Sequence, residues 1–244
     1  MGINYEEAAG DYARHRAENA EVLKGLLTTS GIQGGSQVLE VGCGTGNYAI
    51  ALGELAGCSC VGIDPSEQML SKAKQRSAGV AFQVGRAESL DYPEGSFDLV
   101  FCVDVIHHVA DRLRYFQGAF RALKPGGSIC TVTDSEWIIR HREVLSKYFP
   151  ETVEAELKRY PPVAELREMM TQVGFTEVKE TMAELQRQIT DCRAYRAKAF
   201  SSLHLISEDA FQRGIERLEQ DLRAGPVSFV ERYLMLWGKG PSVL

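Results

Sequence analysis

Short apolar runs alternate with amphipathic segments along the first half of the chain. Strands are predicted at 37–40, 59–63, 80–84, 97–103 and 128–132, and the stretches between them have the apolar spacing of helices. Alternating strands and helices favour a parallel sheet with right-handed crossovers and helices on both faces. The pattern predicts a doubly wound α/β fold whose ligand binds at the carboxyl ends of the strands.

After strand five the pattern changes. Segment 135–162 is charged and helical in pattern, 163–173 predicts a helix that covers the sheet, and 175–181 predicts strand six. Segment 190–225 is again helical in pattern, and alternating apolar residues at 226–237 predict the last strand. The second half therefore adds two helical segments and two strands to the alternating core.

The first strand leads into a glycine-rich turn. Glu40 ends the apolar run, and Gly42, Gly44 and Gly46 follow at every second position. Glycine reaches positive φ without steric cost, so such a turn can bring backbone N–H groups close to a ligand. The spacing Gly44-x-Gly46-x-x-Ala49 alone also fits a relaxed dinucleotide-binding fingerprint. The strand-end carboxylate and the extra glycine suit a zwitterionic amino acid better than a pyrophosphate.

A second acidic residue, Asp64, ends the next predicted strand. A carboxylate at this place can accept hydrogen bonds from both hydroxyls of a ribose. The feature fits a nucleoside ligand of either kind, so it does not separate a methyltransferase from a dehydrogenase.

Four segments in order resemble the motifs of class I S-adenosylmethionine-dependent methyltransferases, in particular the small-molecule enzymes of methyltransferase type 11 and of the ubiquinone–menaquinone type. The segments are 40–46, 85–92, 104–109 and 124–127, and the resemblance covers most of the first 135 residues. It implies S-adenosyl-L-methionine as the cofactor. It also implies a Rossmann-like, seven-stranded sheet that is mostly parallel, with an antiparallel last strand beside strand five and a helical cap.

The length of 244 residues suits one large α/β domain. We expect a single methyltransferase domain over 1–244, with a core at about 36–134 and 163–244. An N-terminal helical segment is expected at 1–31. Cap segments are expected at about 135–162 and 190–225.

The resemblance also implies which residues bind the cofactor. Glu40 would serve the ammonium group and Asp64 the ribose hydroxyls. Many relatives have Asp where this chain has Arg86, so the backbone N–H of Ala87 and the carboxylate of Glu88 become candidates for contacts to adenine. The implied cofactor-binding set is Tyr12, Glu40, Gly42, Cys43, Gly44, Gly46, Asp64, Pro65, Met69, Arg86, Ala87, Glu88 and Asp104.

His107 and His108 follow strand four and are the candidate catalytic residues. Methyl transfer from a sulfonium needs alignment above all, and a general base only if the acceptor must lose a proton. A neutral imidazole suits that task near pH 7. Because neighbouring residues at a strand end point in opposite directions, at most one of the two is expected to be catalytic. The alternative is a loop histidine that hydrogen-bonds the backbone.

Basic residues follow strand five and precede the second helical segment. If they face inward, their guanidinium groups would favour an acceptor with a carboxylate or phosphate. The alternative is a solvated helix face. The residues concerned are Arg140, His141, Arg142, Arg187, Arg193 and Arg196.

Composition argues against nucleic acid and membranes as partners, and we expect a small-molecule acceptor. The formal net charge of −6 opposes binding to nucleic acid or anionic lipid, because both need a concentrated basic surface. No apolar run approaches the ~20 residues that cross a bilayer, and the N-terminus lacks the apolar core of a signal peptide. We therefore expect a cytoplasmic protein without membrane contact. The six cysteines are scattered, so buried free thiols are expected and no metal site is predicted.

Two alternatives to methyl transfer stay open at this point. A nicotinamide-dependent oxidoreductase would need hydride-transfer machinery, and Tyr195 and Lys198 have the wrong offset for the Tyr-x-x-x-Lys pair. A catalytically inactive, methyltransferase-like binding protein has only Arg86 in its favour.

Overall fold

The computed structural model describes residues 18–241, which contain one seven-stranded sheet. The strand order is β3-β2-β1-β4-β5-β7-β6. Strands β1 to β5 are parallel, and β7 lies antiparallel between β5 and β6. The strands are β1 (Gln37–Val41), β2 (Ser59–Asp64), β3 (Ala81–Val84), β4 (Phe97–Val103), β5 (Leu123–Thr133), β6 (Thr176–Ile189) and β7 (Val227–Lys239). The predicted Rossmann-like sheet and its antiparallel last strand beside strand five are confirmed.

Helices flank both faces of this sheet. In the described part of the chain they are α1 (Ala20–Ser30), α2 (Asn47–Ala56), α3 (Glu67–Arg76), α4 (Arg112–Ala122), α5 (Glu136–His141), α6 (Leu145–Tyr148), α7 (Glu151–Arg159), α8 (Val163–Val173), α9 (Arg193–Arg196) and α10 (Glu208–Ala224). Single-turn 3₁₀ helices lie at Ile106–His108 and Ser201–His204. None of the helices described has the length and apolar composition needed to cross a membrane.

Alternate residues of β4 pack against opposite faces of the sheet. Leu99 and Phe101 are buried with residues of α1 and α2, whereas Val100 and Cys102 are buried with residues of α4 and α8. A strand covered on both faces reads as a continuous apolar run, which is why 97–103 was predictable. A third apolar cluster joins α6, α9 and α10.

Side chains and glycines set several helix ends. The Asn19 side chain accepts hydrogen bonds from the backbone N–H groups of Glu21 and Val22, so α1 begins at Ala20. Gly31 ends the helix in the left-handed conformation, with φ of 73°. The predicted N-terminal helical segment is therefore a helix from residue 20 onward, and its earlier part lies outside the described residues.

The predicted extent of strand six was wrong. The prediction ended at residue 181, but β6 continues to Ile189 because each residue from Lys179 onward pairs with β7, as far as Val227. Most β6 side chains are exposed or half-buried, so the strand has no clear apolar period. Pairing of the backbone sets its length instead.

The structure refines the predictions for two further segments. Segment 124–127 was expected to be a turn before strand five, but it lies within β5, where the pairing with β4 has an irregular register. Segment 190–225 was predicted to be helical in pattern, and in the structure its helical residues divide into α9, the 3₁₀ turn at Ser201–His204 and α10. Residues between α9 and α10, such as Phe200 and Leu203, pack into the third apolar cluster without forming a complete α-helix.

Candidate active site

A cleft of about 840 Å³ opens at the carboxyl ends of β1, β4 and β5. One wall is the glycine turn after β1, together with Asp104 after β4. The opposite wall comes from α5 to α7, the segment after β6 and the first half of β7. This cleft lies at the edge of the sheet where a doubly wound fold is predicted to bind its ligand.

The glycine turn has three residues at positive φ, namely Gly42 at 72°, Gly44 at 53° and Gly46 at 78°. An added Cβ on Gly42 would lie 2.4 Å from Val105 Cγ2, and one on Gly46 would lie 2.5 Å from Phe82 Cζ. Two of these glycines are thus required by packing within the protein, in addition to any requirement from a ligand. Gly42 and Gly44 line the cleft, as does Cys43 between them.

Glu40 is 3% exposed and also lines the cleft. Its Oε2 accepts a hydrogen bond from the Ala49 N–H at 2.9 Å. Burial raises the pKa of the Glu40 carboxyl to about 8, although the bond from Ala49 works in the opposite direction. A carboxyl held in this way gains a strong partner when an ammonium group enters the cleft.

Asp64 joins the glycine turn to the end of β2. Its Oδ2 accepts the Gly44 N–H at 2.8 Å, and its Oδ1 accepts the Ser66 N–H at 2.9 Å. Burial raises the pKa of the Asp64 carboxyl, and the two backbone bonds oppose that rise. Each oxygen retains a lone pair that can accept a ribose hydroxyl.

The rest of the predicted cofactor set lies beside the cleft, near the ends of β2 and β3. Pro65 and Arg86 are exposed, and Met69 and Ala87 are buried. Glu88 accepts the backbone N–H of Ala110 at 2.9 Å, which ties the loop after β3 to the loop after β4. Tyr12 lies outside the described residues. The structure therefore divides the set in two: Glu40, Gly42, Cys43, Gly44 and Asp104 line the cleft, whereas Gly46, Asp64, Pro65, Met69, Arg86, Ala87 and Glu88 do not.

Asp104 is held in a sparsely populated conformation at the end of β4. Its φ is 57°, and its backbone N–H donates to the Val132 carbonyl at 3.0 Å. The Tyr233 hydroxyl donates to Oδ2 at 3.4 Å. Positive φ in a residue other than glycine costs of order 1–3 kcal/mol and is concentrated at functional sites. Asp104 lines the cleft where β4 and β5 end.

The two predicted catalytic histidines lie in the 3₁₀ turn after β4. The expectation that they point in opposite directions was wrong, because this turn places their ring centroids 4.0 Å apart. His107 is 8% exposed and stacks on Tyr160, with ring centroids 4.0 Å apart, whereas His108 is exposed. Neither ring forms part of the cleft wall, but Tyr160 does.

A buried ion cluster in the cleft wall was missed by sequence reasoning. Arg142 forms ion pairs with Asp134 and with Glu156, the latter at 2.7 Å. Glu156 also pairs with Arg159 at 2.9 Å. The i, i+3 spacing of Glu156 and Arg159 and the basic residues after strand five were the available signals. They could not reveal that Asp134 and Arg142 meet Glu156 in one cluster.

Neither a reactive thiol nor a group of metal-binding side chains is found at this site among the described residues. All six cysteines are free, five of them buried, as the scattered pattern predicted. Burial raises the pKa of the Cys43 thiol in the glycine turn, so this thiol is a weak nucleophile at neutral pH. Among residues 18–241, no three His, Cys, Asp or Glu side chains are grouped so that they could hold a metal ion.

Residues 39–131 match the protein family described as a methyltransferase domain. Over 193 residues the chain is 28% identical to demethylmenaquinone methyltransferase of Oceanobacillus iheyensis, which covers 69% of this chain and 79% of the relative. Over 162 residues it is 32% identical to phosphoethanolamine N-methyltransferase 1 of Arabidopsis thaliana, covering 65% of this chain but only 32% of the plant enzyme. The chain therefore contains a methyltransferase domain of the class I, S-adenosylmethionine-dependent type.

Solved structures show the same methyltransferase fold. A methyltransferase from an antibiotic biosynthesis pathway of Anabaena variabilis aligns with a TM-score of 0.71 at 22% identity, over 91% of this chain and 98% of that one. Phosphoethanolamine N-methyltransferase 2 of Haemonchus contortus, solved with S-adenosyl-L-methionine, aligns at 0.64 and 20% identity, over 99% of this chain and 61% of that one. S-adenosyl-L-methionine is the cofactor of this methyltransferase. Neither the oxidoreductase nor the inactive binding protein is favoured by these relatives.

Proposed function

We propose that this methyltransferase transfers the methyl group of S-adenosyl-L-methionine to a small-molecule acceptor by in-line displacement, giving S-adenosylhomocysteine. The observation that supports this proposal is a single cleft that joins the glycine turn and Asp104 to a chamber between α5, α6, α9 and β7. Its volume of about 840 Å³ suits small ligands. The two relatives compared by sequence are also named for small acceptors, a demethylmenaquinone and phosphoethanolamine.

The residues around the glycine turn fit the cofactor. When bound, S-adenosyl-L-methionine supplies an electrophilic methyl group on a sulfonium. Glu40 would bind the ammonium group from within the cleft, and Asp64 would bind the ribose hydroxyls. The backbone N–H of Ala87 and the carboxylate of Glu88 would contact adenine. Because Arg86 stands where many relatives have Asp, the contact from that Asp to adenine would be absent. Gly42, Cys43, Gly44, Gly46, Pro65, Met69, Asp104 and Tyr12 complete the proposed cofactor-binding set.

The remaining residues would align the acceptor and exclude water. We assign this role to segments 135–162 and 190–225, as cap segments of one domain. Holding two reactants in the reacting geometry lowers a barrier by ~7–11 kcal/mol in the best oriented models. Of the two histidines, His107 is the stronger candidate for a role in the reaction, as a positioning residue for Tyr160, on which its ring stacks. A base is needed only if the acceptor must lose a proton.

Two measurements test the proposal. Calorimetric titration with S-adenosylhomocysteine, run beside NAD at equal concentrations, should give micromolar binding of the first ligand and none of NAD. Methyl transfer is then measured by mass spectrometry on a panel of small O-, N-, C- and S-nucleophiles, with protein and RNA fractions as parallel acceptors. Transfer to a macromolecular fraction and to none of the small molecules would contradict a small-molecule acceptor. The cytoplasmic location and the absence of nucleic-acid binding stay predictions of the sequence.

A further inference from the structure

Every arginine in the described wall of the cleft is paired with a carboxylate. Arg187 pairs with Glu231 at 3.1 Å, and Arg232 pairs with Glu143 at 2.7 Å. Arg232 also pairs with Glu184 at 2.9 Å. Likewise, Arg193 and Asp191 pair at 2.8 Å. The interpretation of these arginines as receptors for an anionic acceptor therefore loses its support.

Arg142 is the least exposed of these arginines. Its side chain is 15% exposed and lies between the carboxylates of Asp134 and Glu156, whose side chains are 9% and 3% exposed. Burial raises the pKa of the Asp134 carboxyl, and the charge of Arg142 beside it opposes that rise. An incoming phosphate or carboxylate would have to displace one of these carboxylates. Leaving a buried charge without its partner is strongly unfavourable.

The cluster as a whole has no spare positive charge. Arg159 supplies a second guanidinium, which pairs with Glu156, donates to Ser201 Oγ at 2.9 Å and lies over the Tyr160 ring. Two carboxylates therefore balance two guanidinium groups. The Asp104 carboxylate lies in the same cleft and adds a negative charge near the cofactor-binding end.

Beyond the charged cluster, much of the wall is apolar. Apolar members come from α5, the start of α6 and the residue before it, the end of β6, the segment after α9 and the start of β7. They include Ile138, Val144, Leu145, Ile189, Phe200 and Phe229. Apolar surface of a ligand that packs against such a wall is removed from water, which favours binding.

We propose that the acceptor is an apolar molecule with no anionic group, and that the ion cluster of Asp134, Arg142, Glu156 and Arg159 excludes anionic acceptors from the inner cleft. The proposal rests on the proposed function, because it assigns this cleft to the methyl acceptor. It predicts that the acceptor of this chain differs in charge from that of the relative named for phosphoethanolamine, a molecule that carries a phosphate.

The test uses three probes of one skeleton: 4-phenylbutan-1-ol, 4-phenylbutan-1-amine and 4-phenylbutanoate. Each is titrated into protein saturated with S-adenosylhomocysteine. We expect the alcohol and the amine to bind at least about tenfold more tightly than the butanoate. Equal binding of the butanoate, or a preference for it, would overturn the exclusion of anions. Binding by none of the three would overturn the apolar acceptor subsite.

The ion cluster is tested with Glu156→Gln, which leaves Arg142 and Arg159 short of one negative charge. We expect this variant to bind the butanoate about tenfold more tightly relative to the alcohol than the wild type does. Glu151→Gln is the matched control, because Glu151 lies on the same helix but pairs with Arg213 at 2.8 Å on the surface. The control should keep the wild-type ratio. An unchanged ratio in a folded Glu156→Gln variant would show that the cluster does not set the selectivity.

A replacement variant and a binding control distinguish a failure of this inference from a failure of the proposed function. If Glu156→Gln does not fold, Asp134→Asn takes its place, and the wild-type ratios alone still decide whether anions are excluded. Loss of S-adenosylhomocysteine binding in the wild type would be a failure of the proposed function. Normal binding of S-adenosylhomocysteine with reversed probe selectivity would be a failure of this inference only.

Discussion

The backbone N–H of Gly44 donates a hydrogen bond to Asp64 Oδ2 at 2.8 Å, so the turn after β1 is held by the carboxylate that ends β2. The second oxygen of the same carboxylate accepts the Ser66 N–H. Asp64 therefore has two tasks: it fixes the glycine turn, and it presents its remaining lone pairs at the proposed ribose position. These tasks make it the most informative single residue of the cofactor site.

Asp64→Ala should weaken S-adenosylhomocysteine binding by roughly ten- to a hundredfold. The reason is that hydrogen bonds to a charged acceptor contribute ~1.5–3 kcal/mol, and each 1.4 kcal/mol is a factor of ten. Calorimetric titration measures the change. Asp98→Ala is the control, because Asp98 accepts the Gln37 N–H at 2.7 Å near the opposite ends of the strands. Wild-type affinity in Asp64→Ala would show that the ribose is bound elsewhere.

Gly46→Ala should lower the free energy of unfolding through packing rather than through the ligand. Its added Cβ would lie 2.5 Å from Phe82 Cζ. Gly35→Ala is the matched control, because Gly35 has a φ of 85° and nothing within 4 Å of the added atom. Both variants bear the strain of positive φ, so their difference isolates the overpacking, about 1–3 kcal/mol. Urea unfolding measures it, and equal losses in the two variants would contradict the clash.

The local part of this architecture was predictable from sequence. The strand at 97–103 and the helix at 163–173 were predicted at the observed bounds, because both are marked by buried apolar residues and the helix ends at Gly174. The glycine turn and the acids at 40 and 64 were also visible, since each follows directly from the end of a strand. Such features depend on neighbours in the chain.

Contacts between distant segments were not predictable in the same way. The cluster around Arg142 brings together the end of β5, the end of α5 and helix α7, and no local period encodes that meeting. The 3₁₀ turn at Ile106–His108 likewise depends on packing of the loop, including the bond from Arg112 Nε to the Ile106 carbonyl at 3.1 Å. The sequence showed the charged residues after strand five, but not that their partners lay in the same cleft.

The two histidines should differ sharply when each is replaced by alanine. His107→Ala removes a buried ring stacked on Tyr160, so it should lower the free energy of unfolding by about 1–3 kcal/mol. His108→Ala changes an exposed ring and should stay within about 0.5 kcal/mol of the wild type. Chemical denaturation of both variants measures this difference.

Rates separate a base from a positioning residue at His107. Loss of a general base costs ~10²–10⁴ in rate. A residue that only positions Tyr160 should cost less than about tenfold in kcat and leave the pH profile of kcat unchanged. We expect the smaller loss, because the His107 ring is not part of the cleft wall. A loss of a thousandfold in kcat with a changed pH profile would establish proton transfer at His107 instead.

Binding of S-adenosylhomocysteine should release a proton from Glu40. Burial holds the pKa of the free Glu40 carboxyl at about 8, so it is mostly protonated at pH 7. An ammonium group placed beside it favours the carboxylate and lowers that pKa, so up to one proton leaves on binding. Affinity should therefore rise with pH between about 6 and 8 and level off above the pKa of the free protein. Titrations at pH 7 in buffers of different ionisation enthalpy count the protons directly. Glu40→Gln should abolish the release and flatten the pH dependence, whereas an unchanged proton count in that variant would show that another group near the cleft titrates.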